Sequence, residues 1–449
     1  MAGKTGKMAI RAGWVLSMDP GVGDLRDGVV VIEGDRIAGV MAGPAPEGLP
    51  LIEARGMILL PGFVDTHRHT WQSCIRHGCC DMASSAQYFR EILGGIGGRY
   101  RPQDVRIGTW LGAVSALEMG TTTLMDWAHV MNTPDHADAA LEGLEAAGIR
   151  AVFGHGWPLT EPVSWMDDSA RPHPEDIARL RRGALSSDDG LITLAMAARG
   201  PEMAAEGIWQ QDLRLARALG LRSSIHMGAA GRGPRHAAIR RMHEAGLLGP
   251  DLTFVHCNTS SDEELRMMAD AGVTASLGVQ VETVTLAYGD APIDRLLEVG
   301  IRPSLSSDTE TKGAGDMFTQ MRLALSLYRA QKTNGHSRTR TTPEMLTTRA
   351  VLEMATIIGA EATGLADRVG SLVPGKQADL ILIRATDLNL VPVTDPVAAV
   401  VTAAHPGNVD SVMVAGRWVK RHGQMLAPGL DRLRDMAVES QAYLYGRAA

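Results

Sequence analysis

One short pattern recurs through the middle of the chain and restricts its folding more than any other feature. An amphipathic stretch ends in a glycine, and a β-branched or apolar run follows at once. The first instance is "VRIGTWLGAVSALEM", with Ile107, Trp110, Leu111, Val114 and Leu117 at helical spacing. Gly120 then stops the helix, and "TTTLMDW" reads as a strand. The unit returns at Gly148 before "IRAVFGHG", at Gly220 before "LRSSIHMG", at Gly272 before "VTASLG" and at Gly300 before "IRPSLSSD". "LITLAMAAR", "LTFVHCN" and "ILLPGFVDTHRH" add three strands without the preceding glycine. Ser261 to Glu264 fits a capping box that opens one intervening helix.

Alternating strands and helices imply parallel strands with crossover helices. Eight such units close naturally into an α/β (β/α)8 TIM barrel. A doubly wound open sheet is the competing arrangement, but no GxGxxG follows the first strand. Both ends of the chain differ from this middle. "KMAIRAGWVLSMD" and "GVVVIEGDRIAGVM" read as short strands, as do "ADLILIRA" and "VDSVMVAGRWVKRHG". We therefore expect a small β-sandwich domain built jointly from residues 1–57 and 370–430, a barrel over 58–369, and a C-terminal helix over 431–449.

The strands end in polar residues: His67 and His69 on strand one, Asp126 on two, His155 on three, His226 on five, His256 on six and Asp308 on eight. Active sites of such barrels sit at the C-terminal mouth. Residues two apart on a strand share a face, so His67 and His69 point together, with Arg68 opposite. Two imidazoles on one face can hold a divalent ion. Four neutral nitrogens and one carboxylate suit zinc, or iron of similar size.

With these residues in view the chain resembles the amidohydrolase superfamily, in its branch of cytosine-deaminase-like and chlorohydrolase-like enzymes. "LLPGFVDTHRH", "SSIHM", "FVHCN" and "PSLSSDTE" carry the resemblance, with "TTPEMLTTRAVLEMATIIGAEATGL" and "VGSLVPGKQADLILI" toward the end. It spans about Met8 to Gly423. The resemblance implies metal ligands at His67, His69, His226 and Asp308, with His256 beside the metal or its water. Relatives with two metals bridge them by a lysine on strand four. "LITLAMAARG" has none, so one metal is expected.

The implied activity is hydrolysis of a non-peptide C–N bond, foremost the deamination of an aminated N-heterocycle by a metal-bound hydroxide, with Asp308 and His256 catalytic. The competing activity is cleavage of a linear amide, carbamate or urea. A non-catalytic structural relative is the remote third reading. Two departures touch the catalytic apparatus. The glutamate that shuttles protons in such deaminases, three residues after the strand-five histidine, is Ala229 here. The histidine common near strand seven is missing from "SLGVQVETV". Glu282, Glu310 and His155 are candidate acid–base or substrate contacts. Trp71 and Gln72 are candidate pocket residues, and Asp126 is a candidate partner that orients a ligand histidine. His129, His136, His236 and His243 read as surface residues.

Bulk properties set the remaining expectations. A net charge of −7 argues against a nucleic-acid partner, and no stretch approaches the ~18 apolar residues of a membrane span. Four cysteines, two of them adjacent, suggest reduced thiols rather than a disulfide framework. "MAGKTGKMAI" lacks a signal-type apolar run. The expected setting is a cytoplasmic homo-oligomer acting on a small molecule.

Overall fold

The computed structural model describes residues 6–82, 84–333 and 345–446. The chain starts with β1 (Met8–Leu16), β2 (Asp24–Glu33), β3 (Arg36–Ala42) and β4 (Leu51–Pro61). Next come the strands of the repeated unit: β5 (Phe63–Arg68), β6 (Thr121–Ala128), β7 (Arg150–His155), β8 (Ile192–Ala198), β9 (Ser223–Met227), β10 (Leu252–His256), β11 (Thr274–Leu277) and β12 (Ser304–Leu305). It returns to β13 (Leu380–Arg384), β14 (Val409–Val414), β15 (Arg417–Arg421) and β16 (Gln424–Met425).

β5 to β12 lie in sequential order, every pair parallel. The ring is completed where the two ends meet. Asp308 N–H donates to the His67 carbonyl (2.9 Å), and His69 N–H donates to the Asp308 carbonyl (2.8 Å). Eight parallel strands thus form the expected barrel, and its closing seam joins two of the candidate ligand strands. The terminal segments build one continuous mixed sheet, ordered β16-β15-β14-β13-β4-β1-β2-β3. The final helix, Leu430–Leu444, packs back on the barrel, where Ser440 Oγ donates to Asp104 Oδ1 (2.8 Å).

The local rules behind the sequence pattern are visible. Gly148 closes the helix Pro134–Ala147 at φ +69°, a left-handed conformation that strains a residue with a Cβ. Gly120, Gly220, Gly272 and Gly300 also take positive φ. The barrel strands are buried along nearly their whole length, which explains why they read as apolar runs rather than alternating ones. Phe63, Phe153 and Phe254 are fully buried among them, each contributing about 1.5–3 kcal/mol of burial energy. This packing leaves the C-terminal strand ends as a rigid rim for polar side chains.

Candidate metal centre and pocket

The β5 backbone presents His67 and His69 with ring centroids 4.7 Å apart. β9 brings His226 to 4.7 Å from His67, and β10 brings His256 to 5.4 Å from His226. Asp308, just past β12, faces three of them. Its Oδ1 lies 3.6 Å from His67 Nε2 and 3.5 Å from His69 Nε2, and its Oδ2 lies 3.9 Å from His256 Nε2. Two overlapping sets, His67–His226–His256 and His67–His69–Asp308, each place one ligand atom per residue within 4.8 Å of the others.

The surroundings suit a cation. Both ring nitrogens of His67 are buried without a hydrogen-bond partner, a costly state for a polar group unless an ion takes up a lone pair. His69 Nδ1 donates to the Trp127 carbonyl at 2.8 Å, so its Nε2 lone pair faces the cluster. Burial and neighbouring imidazoles hold His69 and His226 well below the usual histidine range. Burial also lowers His67. All three are therefore neutral donors. At Asp308 burial works to raise the carboxyl, but the close His67 imidazole, with His256 and His69 beside it, outweighs that and holds it low. His256 and Asp308 have φ of +81° and +60°. Such backbone strain costs about 1–3 kcal/mol per residue and clusters at functional sites.

Behind His256, Glu282 Oε1 accepts from Nδ1 at 3.0 Å and from Gly278 N–H at 2.9 Å. At His256 burial pulls the pKa down, but the Glu282 and Asp308 carboxylates overcome it and the net shift is upward.

A cleft of about 740 Å³ opens on this cluster. Aromatic and apolar side chains dominate its walls, among them Trp127, Trp157, Leu93 and Tyr288. The helical segments Ser85–Tyr88 and Phe89–Ile96 cover one side. Two cations lie against them, Lys312 over the Tyr88 ring at 5.2 Å and Arg232 over the Phe89 ring at 5.3 Å.

Several candidates from the sequence lie outside the cleft wall. Glu282 is 2% exposed and turned to His256, so it is neither a solvated carboxylate nor a wall residue. Glu310 is buried against Arg68 (3.1 Å), Arg76 (2.9 Å) and Ser73 (2.8 Å) on the far side of β5. His155 faces away from the cleft, with His173 at 3.1 Å and Asp176 at 3.4 Å. Trp71 is fully buried against Tyr100 and His129. Gln72 links Tyr88 and Thr309, two residues of the wall, without joining it. Asp126 accepts from Thr70 Oγ1 at 2.6 Å, beside His69, rather than from an imidazole, and burial pushes its carboxyl up to about 6.

The reading of surface histidines needs correction at two positions. His129 is buried and lines the cleft, its ring 4.5 Å from that of His69, and burial pulls it down to about 3. It directly follows β6, so it obeys the same strand-end rule as the others. His136 is buried too, because its Nε2 meets the Tyr100 carbonyl at 2.8 Å and its Nδ1 meets Thr133. His236 is half-buried and His243 exposed. Sequence reasoning also passed over Glu202, Arg232 and Lys312, all in the cleft wall. Glu202 follows β8, the strand read only for its missing lysine.

Comparison with known proteins gives a consistent likeness. A family model described as "Amidohydrolase family" matches residues 58–419. The chain is 26% identical over 447 residues to a 5'-deoxyadenosine deaminase of Methanosarcina acetivorans, covering 98% of each chain. It is 30% identical over 431 residues to a 5-methylthioadenosine/S-adenosylhomocysteine deaminase of Symbiobacterium thermophilum, covering 92% of this chain and 93% of that one. Among solved structures it matches an adenosine deaminase from Xanthomonas campestris with bound zinc (TM-score 0.83, 22% identity, 98% of each chain). It also matches an atrazine chlorohydrolase from Arthrobacter aurescens complexed with zinc (TM-score 0.83, 21% identity, 97% of this chain and 100% of that one). At these identities the two structures share the fold.

Proposed function

The chain belongs to the amidohydrolase family, and on that premise we propose that it is a metal-dependent hydrolase of non-peptide C–N bonds that deaminates an aminated N-heterocycle. The observation that carries this reading is the cluster of buried and half-buried imidazoles around the Asp308 carboxylate at the floor of an aromatic cleft. The names of the deaminase relatives support the choice of reaction.

His67, His69, His226 and Asp308 would hold one divalent ion, zinc in first place and iron as the alternative. A single ion fits a β8 strand without lysine. When bound, such an ion supplies Lewis acidity that lowers the pKa of water from about 16 to about 7. The protein side chains do the rest. Asp308, held ionised, accepts a hydrogen bond from the attacking water and orients it toward the ring carbon. His256, with Nδ1–H fixed on Glu282, directs Nε2 toward the oxygen that develops charge as the ring carbon becomes tetrahedral. Trp127, Trp157 and Tyr288 give a flat ring an apolar slot and keep bulk water from the reacting carbon.

No helix among the described residues is long and apolar enough to cross a membrane. All four cysteines are free, which supports a reducing, cytoplasmic setting. We take the working unit to be a homo-oligomer on the strength of the family resemblance.

One feature favours a second reaction, the hydrolysis of a linear amide, carbamate or urea. Ala229 lines the cleft without a carboxylate. An ammonia-release screen of the zinc- and iron-loaded protein over aminated pyrimidines, purines, pterins and triazines, run beside amides, carbamates and ureas, separates the two. Ammonia from heterocycles is the expected result. Turnover confined to the second panel would replace the deaminating reading, and a protein unable to take up metal would overturn both.

A further inference from the structure

An amine leaves a ring carbon as ammonia only if its nitrogen receives a proton. Ala229 and Ala230 line the cleft next to His226 and offer none. Among the described residues, two carboxylates stand in the cleft wall, Asp308 and Glu202. Asp308 is committed to the imidazole cluster. Glu282 and Glu310 are turned elsewhere, to His256 and to two arginines.

Glu202 comes from the loop after β8 and is 5% exposed. Its Oε1 accepts the Gly228 N–H at 2.6 Å, which pins the carboxyl to the backbone two residues past His226 and one before Ala229. Arg232 Nη1 donates to the Glu202 carbonyl at 3.4 Å and steadies the loop. Oε2 makes no hydrogen bond to the described residues and belongs to a wall residue of the cleft. A carboxyl group from a different strand therefore stands beside the bare position 229.

We propose that Glu202 is the catalytic residue that carries a proton from the attacking water to the departing nitrogen. The assignment rests on the deaminating reading of the site. In the cycle, the Glu202 carboxylate takes one proton from water as the C–O bond forms. The other proton stays on that oxygen. Glu202 then delivers its proton to the amino nitrogen as the C–N bond breaks. Ammonia leaves with the nitrogen's bonding pair, the ring keeps the oxygen, and the carboxylate is restored. Its setting suits the task. Burial pushes the carboxyl up to about 7, against the opposing pull of the Gly228 hydrogen bond, Arg232 and His256, with Glu264 adding to the rise.

The test compares wild type with Glu202→Gln on amino-substituted rings whose leaving amines are graded in basicity. Glutamine keeps an oxygen for the Gly228 N–H but cannot shuttle a proton. With metal content and melting temperature matched, kcat of the variant should fall by about a hundredfold or more. The loss should steepen as the leaving amine becomes more basic, while wild type stays nearly flat. A loss below threefold, or an equal loss across the series, would overturn the assignment. If wild type cleaves only amides, the deaminating reading falls by itself, and the same comparison on graded anilides decides Glu202. A metal-loaded wild type inert toward every substrate would overturn both.

Discussion

Glu282 holds His256 by a 3.0 Å contact between Oε1 and the imidazole Nδ1, with both side chains shut off from solvent. A carboxylate can only accept, so Nδ1 carries the proton and Nε2 turns to Asp308. The Gly278 amide fixes the same oxygen from behind. Glu282→Gln preserves volume but makes the acceptor ambiguous, because an amide can also donate. Turnover should drop by about 10–100-fold with bound metal retained. Steady-state kinetics beside metal analysis checks this, and a change under twofold would reduce Glu282 to a packing role.

The cluster also makes a stability prediction. An ion that binds only the folded chain stabilises it by an amount set by its concentration over its dissociation constant, about 4 kcal/mol at a thousandfold excess. Chelation should therefore lower the melting temperature by several degrees, and zinc should restore it. His67→Ala and His69→Ala should abolish metal content, turnover and this chelator response together. Differential scanning calorimetry with and without chelator is the measurement, and a variant that keeps the full response would break the ligand assignment.

What was legible in the sequence follows from where information is local. Strand ends and glycine stops are local, so the barrel and the ring of His67, His69, His226, His256 and Asp308 could be read directly. Burial of a loop side chain is not local. Glu282 and Glu310 lie in polar-looking stretches, and only the partners brought by other segments (His256 for one, Arg68 and Arg76 for the other) show that they are interior anchors. His129 was missed for a different reason. It stands one residue beyond β6 after the buried Asp126 and Trp127, and Asp126 drew the strand-end reading. Glu202 lies four residues past β8, and only the fold of that loop onto Gly228 brings it to the cleft.

His155 belongs to a charge-relayed anchor, and this has a pH signature. Asp176 receives contacts from His155 Nε2 (3.4 Å) and from Arg179. Partial burial raises its carboxyl, but the close His155 imidazole and the Arg179 guanidinium outweigh that and lower it to about 2. The folded value lies below the unfolded 3.8, so the unfolded chain binds more protons in this window. The contribution to stability is complete above about pH 4 and fades as pH falls toward 2. Asp176 is half-buried but its partner Arg179 is exposed, so solvent screens the pair and Asp176→Asn should cost only about 1 kcal/mol at neutral pH. Urea midpoints of the two proteins should stay parallel above pH 4 and converge below it. A constant gap at every pH would show that the ion pair does not titrate with the fold.

At the opposite end of the barrel, Arg150 opens β7 and reaches the terminal sheet. Its Nε donates to Asp379 Oδ2 at 2.7 Å, and its Nη2 donates to Asp379 Oδ1 at 3.1 Å and to Gln377 Oε1 at 3.2 Å. Both charges are almost completely buried, and Asp379 Oδ1 also takes the Ala415 N–H at 2.7 Å. Removing one partner strands the other charge in a dry interface. Arg150→Met should therefore destabilise the protein by about 3–5 kcal/mol. Adding Asp379→Leu removes the stranded carboxylate and should recover a large part of that loss, so the two changes are far from additive. Urea unfolding of the wild type, both single variants and the double variant measures the coupling. Additive losses would mean that barrel and terminal sheet are held by apolar packing alone. Neither change should alter metal content, because the pair lies across the barrel from the histidine cluster.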